Sequence, residues 1–248
     1  MEQALDVLAF GAHPDDIELM AGGTIIKLAR QGYRVGMISL TRGEMGTRGT
    51  PEIRREEFAA SAGIMGLAMH SMLDIPDGGV NESEENRLKV IREIRRWRPA
   101  LLFAPYWETR HPDHAHCSHL VREAAFYSGL KKIESGEAAF RPTRLAYYCE
   151  HYHFAPSFVV DISDVFEIRL EAIRAYKSQV FNPDAPADDE ERTHISSPEY
   201  FRSIYARAEY WGGRIGVRYG EPFLVREVIR TEDPFALLIG RAREEGQG

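Results

Sequence analysis

Three features of the chain predict an α/β fold built on a doubly wound, mostly parallel sheet. Short apolar runs alternate with helical stretches through the first half. The runs are near-continuous, as expected for strands covered on both faces. Two histidine–aspartate clusters, Ala12-His13-Pro14-Asp15-Asp16 and His111-Pro112-Asp113-His114, each follow such a run. Open α/β sheets carry their ligands at that end of the strands.

Leu5–Phe10 reads as the first strand. A helix is expected over Gly22–Arg30, carrying Ile25, Ile26 and Leu28, with Gly32 as its stop. Arg34–Leu40 is the second strand, and a polar Gly-rich loop follows it, Thr41-Arg42-Gly43-Glu44-Met45-Gly46-Thr47-Arg48-Gly49. Thr50 suits an N-cap and Pro51 the first helical position of a helix running to about Met65. Ser71–Ile75 is the third strand, closed by the turn Pro76-Asp77-Gly78-Gly79. Ser83 caps a helix whose Leu88, Ile91, Ile94 and Trp97 share one face, and Pro99 ends it. Ala100–Tyr106 is the fourth strand. Pro112 suits the first turn of a helix within the second cluster.

The second half is less regular. Arg144–Cys149 and Phe158–Ile162 read as strands. Ser163 is expected to cap a helix through about Gln179, with Val165, Ile168, Ala172, Ile173 and Tyr176 on its apolar stripe. Residues 181–197 read as a mobile polar loop, Pro198 starts a helix to about Trp211, and Pro222–Ile229 is the last strand. The tail after Arg241 is expected to be disordered. Residues 1–248 thus read as a single α/β domain. If this Rossmann-like sheet has strand order 3-2-1-4, strands one and four meet at the switch point. Both clusters then face one crevice at their C-terminal ends.

Composition narrows the function. With 44% hydrophobic residues among 248, the chain can bury a large core. A net charge of −7 argues against a dedicated nucleic-acid binder. No apolar run approaches the roughly 20 residues needed to span a bilayer. Leu5–Ala12 lacks a basic region before it and reads as a strand, not a signal peptide. The two cysteines, Cys117 and Cys149, fit reduced thiols in a cytoplasmic protein better than a disulfide. The expected partners are a small anionic sugar and further copies of the chain, with no nucleic acid and no membrane.

The clusters supply what a catalytic zinc needs: three protein ligands, a position left for water, and a base beside it. His13 and Asp16 can reach one ion from a single turn, leaving Asp15 free to act on the water. Of His111 and His114, one can ligate while the other faces the substrate, and Asp113 can orient a histidine through its second ring nitrogen. His116 and His119 read as exposed or supporting, His151 and His153 as pocket-lining, His70 and His194 as bland. Arg42, Arg48, Arg54 and Arg110 lie near the clusters, and a basic ring in an acidic protein suggests an anionic substrate. A magnesium phosphohydrolase using Asp15 and Asp16 is disfavoured because magnesium prefers oxygen ligands. A nucleotide-binding module would want a Gly-x-Gly-x-x-Gly turn where Gly11-Ala12-His13-Pro14-Asp15-Asp16 stands.

On these residues the chain resembles the LmbE-like family of zinc-dependent N-acetylglucosamine de-N-acetylases, whose signatures are the Ala-His-Pro-Asp-Asp and His-Pro-Asp-His motifs. Leu40-Thr41-Arg42-Gly43-Glu44, Pro76-Asp77-Gly78-Gly79, Ala155-Pro156-Ser157-Phe158, Tyr176-Lys177-Ser178-Gln179 and Gly220-Glu221-Pro222-Phe223 resemble its bacillithiol-biosynthesis branch. The resemblance implies that His13, Asp16 and His114 hold Zn2+, although ferrous iron fits the same ligands. It implies Asp15 as general base and His111 as an electrophilic or proton-donating histidine tuned by Asp113. Arg54, Arg144 and Tyr200 would line the pocket. The implied reaction is removal of the acetyl group from an N-acetylglucosaminyl glycoside. The implied substrate is N-acetylglucosaminyl malate, whose two carboxylates would account for the arginines. Another N-acetylglucosamine conjugate or a chitooligosaccharide is the alternative. Asp15 or His111 would protonate the leaving amine.

Overall fold

The computed structural model describes residues 3–181 and 192–239. Most of the expected loop over 181–197, and all of the tail after Arg241, lie outside them. The elements run β1 (Val7–Gly11), α1 (Asp16–Arg30), β2 (Val35–Ser39), α2 (Pro51–Met65), β3 (Met69–Met72), α3 (Glu84–Trp97) and β4 (Leu101–Pro105). They continue with α4 (Pro112–Tyr127), β5 (Arg144–Tyr148), β6 (Phe158–Asp161), α5 (Phe166–Arg174), α6 (Pro198–Gly213), β7 (Gly220–Val225) and α7 (Pro234–Ile239).

One seven-stranded sheet forms in the order β3-β2-β1-β4-β5-β7-β6. The five strands from β3 to β5 are parallel, and β7 runs antiparallel between β5 and β6. Alternate residues of β1 go to opposite layers, as the period of a strand requires. Val7 and Ala9 join the core under α1, α2, α5 and α6. Leu8 and Phe10 join the core under α3 and α4. This explains why the strand reads as an unbroken apolar run.

The caps expected at Thr50 and Ser83 form, and Ser197 adds one before Pro198. Thr50, Ser83 and Ser197 each accept a backbone N–H at the start of α2, α3 and α6. Two helices differ from expectation. α1 begins at Asp16, not Gly22. Gly22 and Gly23 sit inside α1, where other parts of the chain come close. A Cβ on Gly23 would lie 2.9 Å from the Ile162 side chain, and one on Gly22 3.3 Å from Arg169. α5 is also shorter than the stretch from Ser163 to Gln179. The Ser163 hydroxyl accepts from the Tyr219 amide instead of capping. The other end is drawn out of the helix by α2, where Ser178 donates to Glu57 through its amide and its hydroxyl. α7 was not expected. Among the described residues, no helix is long and apolar enough to cross a membrane, and both cysteines are free and buried.

Candidate active site

Because β1 and β4 pair in parallel, the loops after them open on the same edge of the sheet. The β1 loop turns sharply there. Asp15 adopts φ 107°, a left-handed conformation that is rare outside glycine. The turn is closed by the His13 amide, which donates to Asp16 Oδ2 at 2.8 Å. Asp16 then opens α1, where a carboxylate is favoured by the helix N-terminus. After β4, His111 caps α4 by accepting the Asp113 amide on Nδ1 at 3.2 Å, and Pro112 occupies the first turn. His114 follows on the same turn.

Donor atoms of three residues converge at the centre. His13 Nδ1 lies 3.1 Å from His114 Nε2. Asp16 Oδ1 is 3.3 Å from His114 Nε2, and Asp16 Oδ2 is 3.7 Å from His13 Nδ1. Ligands about 2.0–2.1 Å from a tetrahedral zinc stand roughly 3.3 Å from one another, so the spacing of the two ring nitrogens, with an Asp16 oxygen near each, suits one such ion. The second ring nitrogen of each histidine is held by a carboxylate. His13 Nε2 meets Asp77 Oδ1 at 2.9 Å and Asp113 Oδ2 at 3.4 Å. His114 Nδ1 meets Glu150 Oε2 at 2.6 Å. Those contacts assign a proton to the outer nitrogen of each ring and leave the inner lone pairs turned toward each other, as metal ligands require. His13, His111 and Asp113 also come close enough to share an ion. That set is poorer, because Asp113 already accepts from the Gly78 amide at 2.7 Å and His111 Nδ1 from the Asp113 amide.

The electrostatics agree with a cation site. Burial favours neutral His13, but Asp113, Asp77 and Asp16 outweigh it and raise His13 to about 9. Burial acts likewise on His114, and Asp16 and Glu150 carry it well above its ordinary value. Burial would raise Asp16, yet the two histidines hold its carboxyl well below the usual range. A divalent ion can replace the two imidazole protons with no change in what the carboxylates see. Asp15 is different. Burial, opposed by Arg54, pushes it up to about 7, with Asp16 and Glu18 adding to the rise. That suits a base working near neutral pH. His111 is lowered by burial and by the neighbouring His114 and His13.

His13, Asp15, Asp16, Asp77, His111, His114 and Glu150 line a cleft of about 260 Å³ whose walls include Arg54, Arg110, His151, Gln179, His194 and Tyr200, and Asp113 stands just behind His13. Every residue expected at the centre is therefore brought together. Asp113 faces His13 and Gly78 with its carboxylate, meets His111 through its backbone amide, and acts on the His111 ring through its charge, which favours the protonated imidazole against the burial that lowers it. Arg54 is buried and binds Pro14 O and Asp15 Oδ2, the latter at 3.3 Å. Tyr200 reaches the wall from α6. Arg144 does not reach it: it opens β5 beside Leu101 at the start of β4, the opposite end of the strands from the site. Of the four nearby arginines, Arg54 and Arg110 line the cleft, whereas Arg42 lies on a separate groove beside Arg55 and His70. His194 lines the cleft against expectation, and His153 stacks on Tyr210 outside it.

Two residues at the centre were missed. Asp77 lay in the quoted Pro76-Asp77-Gly78-Gly79 turn and could have been found as a carboxylate after the third strand. Glu150 follows β5, the neighbour of β4, and that position in the sheet order was its signal.

Residues 8–125 match the family described as PIG-L: GlcNAc-PI de-N-acetylase. A diacetylchitobiose deacetylase of Thermococcus kodakarensis is 34% identical over 87% of this chain and 80% of its own. A probable N-acetyl-alpha-D-glucosaminyl L-malate deacetylase 2 of Bacillus cereus is 30% identical over 70% and 83%. A 4-oxalmesaconate hydratase of Pseudomonas putida is 26% identical over 69% and 73%. The crystal structure of a conserved protein from Thermus thermophilus superposes with a TM-score of 0.82 at 38% identity, over 92% of this chain and 98% of that one.

Proposed function

The chain belongs to the PIG-L family of de-N-acetylases, and from that premise we propose that it removes the acetyl group from an N-acetylglucosaminyl glycoside. The observation that carries the reading is the convergence of His13, Asp16 and His114 on one point, with Asp15 and His111 beside them in one cleft. His13, Asp16 and His114 would hold a divalent ion, and two nitrogens with one carboxylate favour zinc over magnesium. An ion held there supplies a Lewis acid at the cleft floor and makes water acidic enough to deprotonate near neutral pH.

The chain's own residues divide the remaining work. Asp15 takes the proton of the attacking water. His111 accepts a backbone N–H on Nδ1, so its proton sits on Nε2, and that N–H is available to the oxyanion that develops from the acetamide carbonyl. The same contact keeps His111 neutral, since an imidazolium would turn an N–H against the Asp113 amide. The proton for the leaving amine therefore returns from Asp15. Products are acetate and a free glucosaminyl amine.

For the aglycone we favour an anionic group such as malate, placed against Arg110, His151 and His194 at the mouth of the cleft. Arg54 is spent on Asp15 and Pro14, which moves anion recognition to Arg110. A second N-acetylglucosamine in place of malate is the other reading, supported by the 34% identity to a diacetylchitobiose deacetylase. Efficiencies on N-acetylglucosaminyl malate, its methyl glycoside and diacetylchitobiose separate the two. The malyl substrate should be preferred, and Arg110→Gln should cut its kcat/KM about 10- to 100-fold while leaving the methyl glycoside unchanged. Preference for diacetylchitobiose, with no effect of Arg110→Gln, would give the second reading.

A further inference from the structure

Behind the catalytic cleft lies a second, narrow crevice bounded by Leu19, Met20, Cys149, Glu150, Arg207 and Trp211, among others. Leu19, Met20 and Glu150 border both spaces, so the crevice ends against the carboxylate that holds His114. Three polar atoms facing it are buried and without a hydrogen-bond partner: Glu150 Oε1 and Arg207 Nε and Nη2. Unmatched buried groups of this kind are costly, more so when charged, and native proteins rarely leave them so. Glu150 is 3% exposed. Its Oε2 is fully engaged, taking Thr109 Oγ1 at 2.7 Å and His114 Nδ1 at 2.6 Å. The Arg207 guanidinium lies 5.6 Å from the centre of the Tyr200 ring, interacts with the Tyr200 hydroxyl and sends Nη1 to Met20 Sδ at 3.1 Å, which leaves Nε and Nη2 for a further partner. No direct hydrogen bond joins it to Glu150, whose Oε1 is unmatched.

The charge on the crevice wall says what fits between them. Arg169 and Arg207 are matched by Glu150 and Glu221, so neither an anion nor a cation is favoured. Arg169 and Glu221 are already satisfied, by Glu18 O and Leu19 O and by the amides of Gly23 and Thr24. The crevice offers about 20 Å³ to the centre of a water molecule. That holds one water and no organic ion.

We propose that a single bound water bridges the Arg207 guanidinium to Glu150 Oε1, which makes Arg207 a positioning residue for His114. Arg207 donates to the water, the water donates to Glu150, and Glu150 accepts the His114 Nδ1 proton. The chain fixes the His114 ring and raises the basicity of Nε2. The inference rests on His114 being a metal ligand, and the test keeps the two apart.

The test is a double-mutant cycle read as zinc affinity by chelator competition, with wild type, Arg207→Met, Glu150→Gln and the double variant. His114→Ala is the control, and it must lose the metal if the ligand reading holds. Glu150→Gln should weaken zinc about 10- to 100-fold, the usual worth of such an outer partner. Arg207→Met, one step further out, should weaken it less, about 3- to 10-fold, and Arg207→Lys should recover part of the loss. In the Glu150→Gln background Arg207→Met should have no further effect, because the relay is already broken. Additive losses, or unchanged affinity in Arg207→Met while His114→Ala loses the metal, would overturn the relay. Retention of zinc by His114→Ala would instead overturn the ligand reading beneath it. A fold defect in Arg207→Met would appear as a lowered Tm that Glu150→Gln does not share, with additive losses across the cycle.

Discussion

Asp15 and Asp16 are neighbours in sequence with opposite duties, and the backbone separates them. The left-handed conformation at Asp15 turns its carboxyl toward Arg54, while Asp16 closes on His13 and His114. Asp15→Asn should keep the metal and lose about 10²–10⁴ in turnover. Asp16→Asn should lose metal first. Metal content and kcat measured together on both variants check this, and identical behaviour would contradict the division. Arg54 gives a pH test. Burial pushes Asp15 up to about 7 against the pull of the Arg54 guanidinium. The base works when ionised, so activity rises with pH through that value. Removing the positive charge in Arg54→Met should raise the Asp15 pKa further and move the acid limb of kcat/KM upward by about one pH unit or more. A limb that stays in place would show that Arg54 does not act on Asp15.

At the scale of elements, most strands and the Thr50 and Ser83 caps were legible because each depends on local residue choice. By contrast, β3 starts two residues before the expected Ser71, β7 spans Gly220–Val225 and not Pro222–Ile229, and Ser163 does not cap α5. Apolar runs, Thr50-Pro51, Ser83 and Ser197-Pro198 mark their elements whatever packs on them. What escaped the sequence depended on distant partners. α1 starts six residues before the expected Gly22, and the glycines inside it answer to the approach of Ile162 and Arg169, which are distant in sequence. The end of α5 was overrun because Glu57 on α2 claims Ser178. The site shows the same division. Its two motifs were visible, but Glu150 was found only through the pairing of β5 with β4, and Arg144 was misplaced because its end of β5 is the far one. Two glycine variants test the packing account. Gly23→Ala puts a Cβ 2.9 Å from three Ile162 side-chain carbons. An overpacking cost of about 1–3 kcal/mol should exceed the helix-propensity gain of about 1 kcal/mol, lowering the denaturation midpoint. Gly63 in α2 has no atom within 4 Å of such a Cβ, so Gly63→Ala should stabilise by about 0.5–1 kcal/mol. The reverse order of midpoints would contradict the packing account.

For the whole molecule, the sheet order decides the function. Placing β1 beside β4 brings together two short motifs from separate parts of the chain, and adding β5 brings Glu150 behind them. Four carboxylates, Asp16, Asp77, Asp113 and Glu150, then surround two imidazoles in a protein whose wider charge is −7. Such a centre is built to hold a cation and to lose its purpose without one. The most direct test is acetate and free amine released from N-acetylglucosaminyl malate and diacetylchitobiose by the zinc-loaded and chelator-stripped protein. The account predicts one acetate and one amine per turnover from at least one substrate, loss of both on stripping and recovery on adding zinc. Full activity after complete removal of metal, or no acetate from either substrate by the zinc-loaded protein, would contradict it.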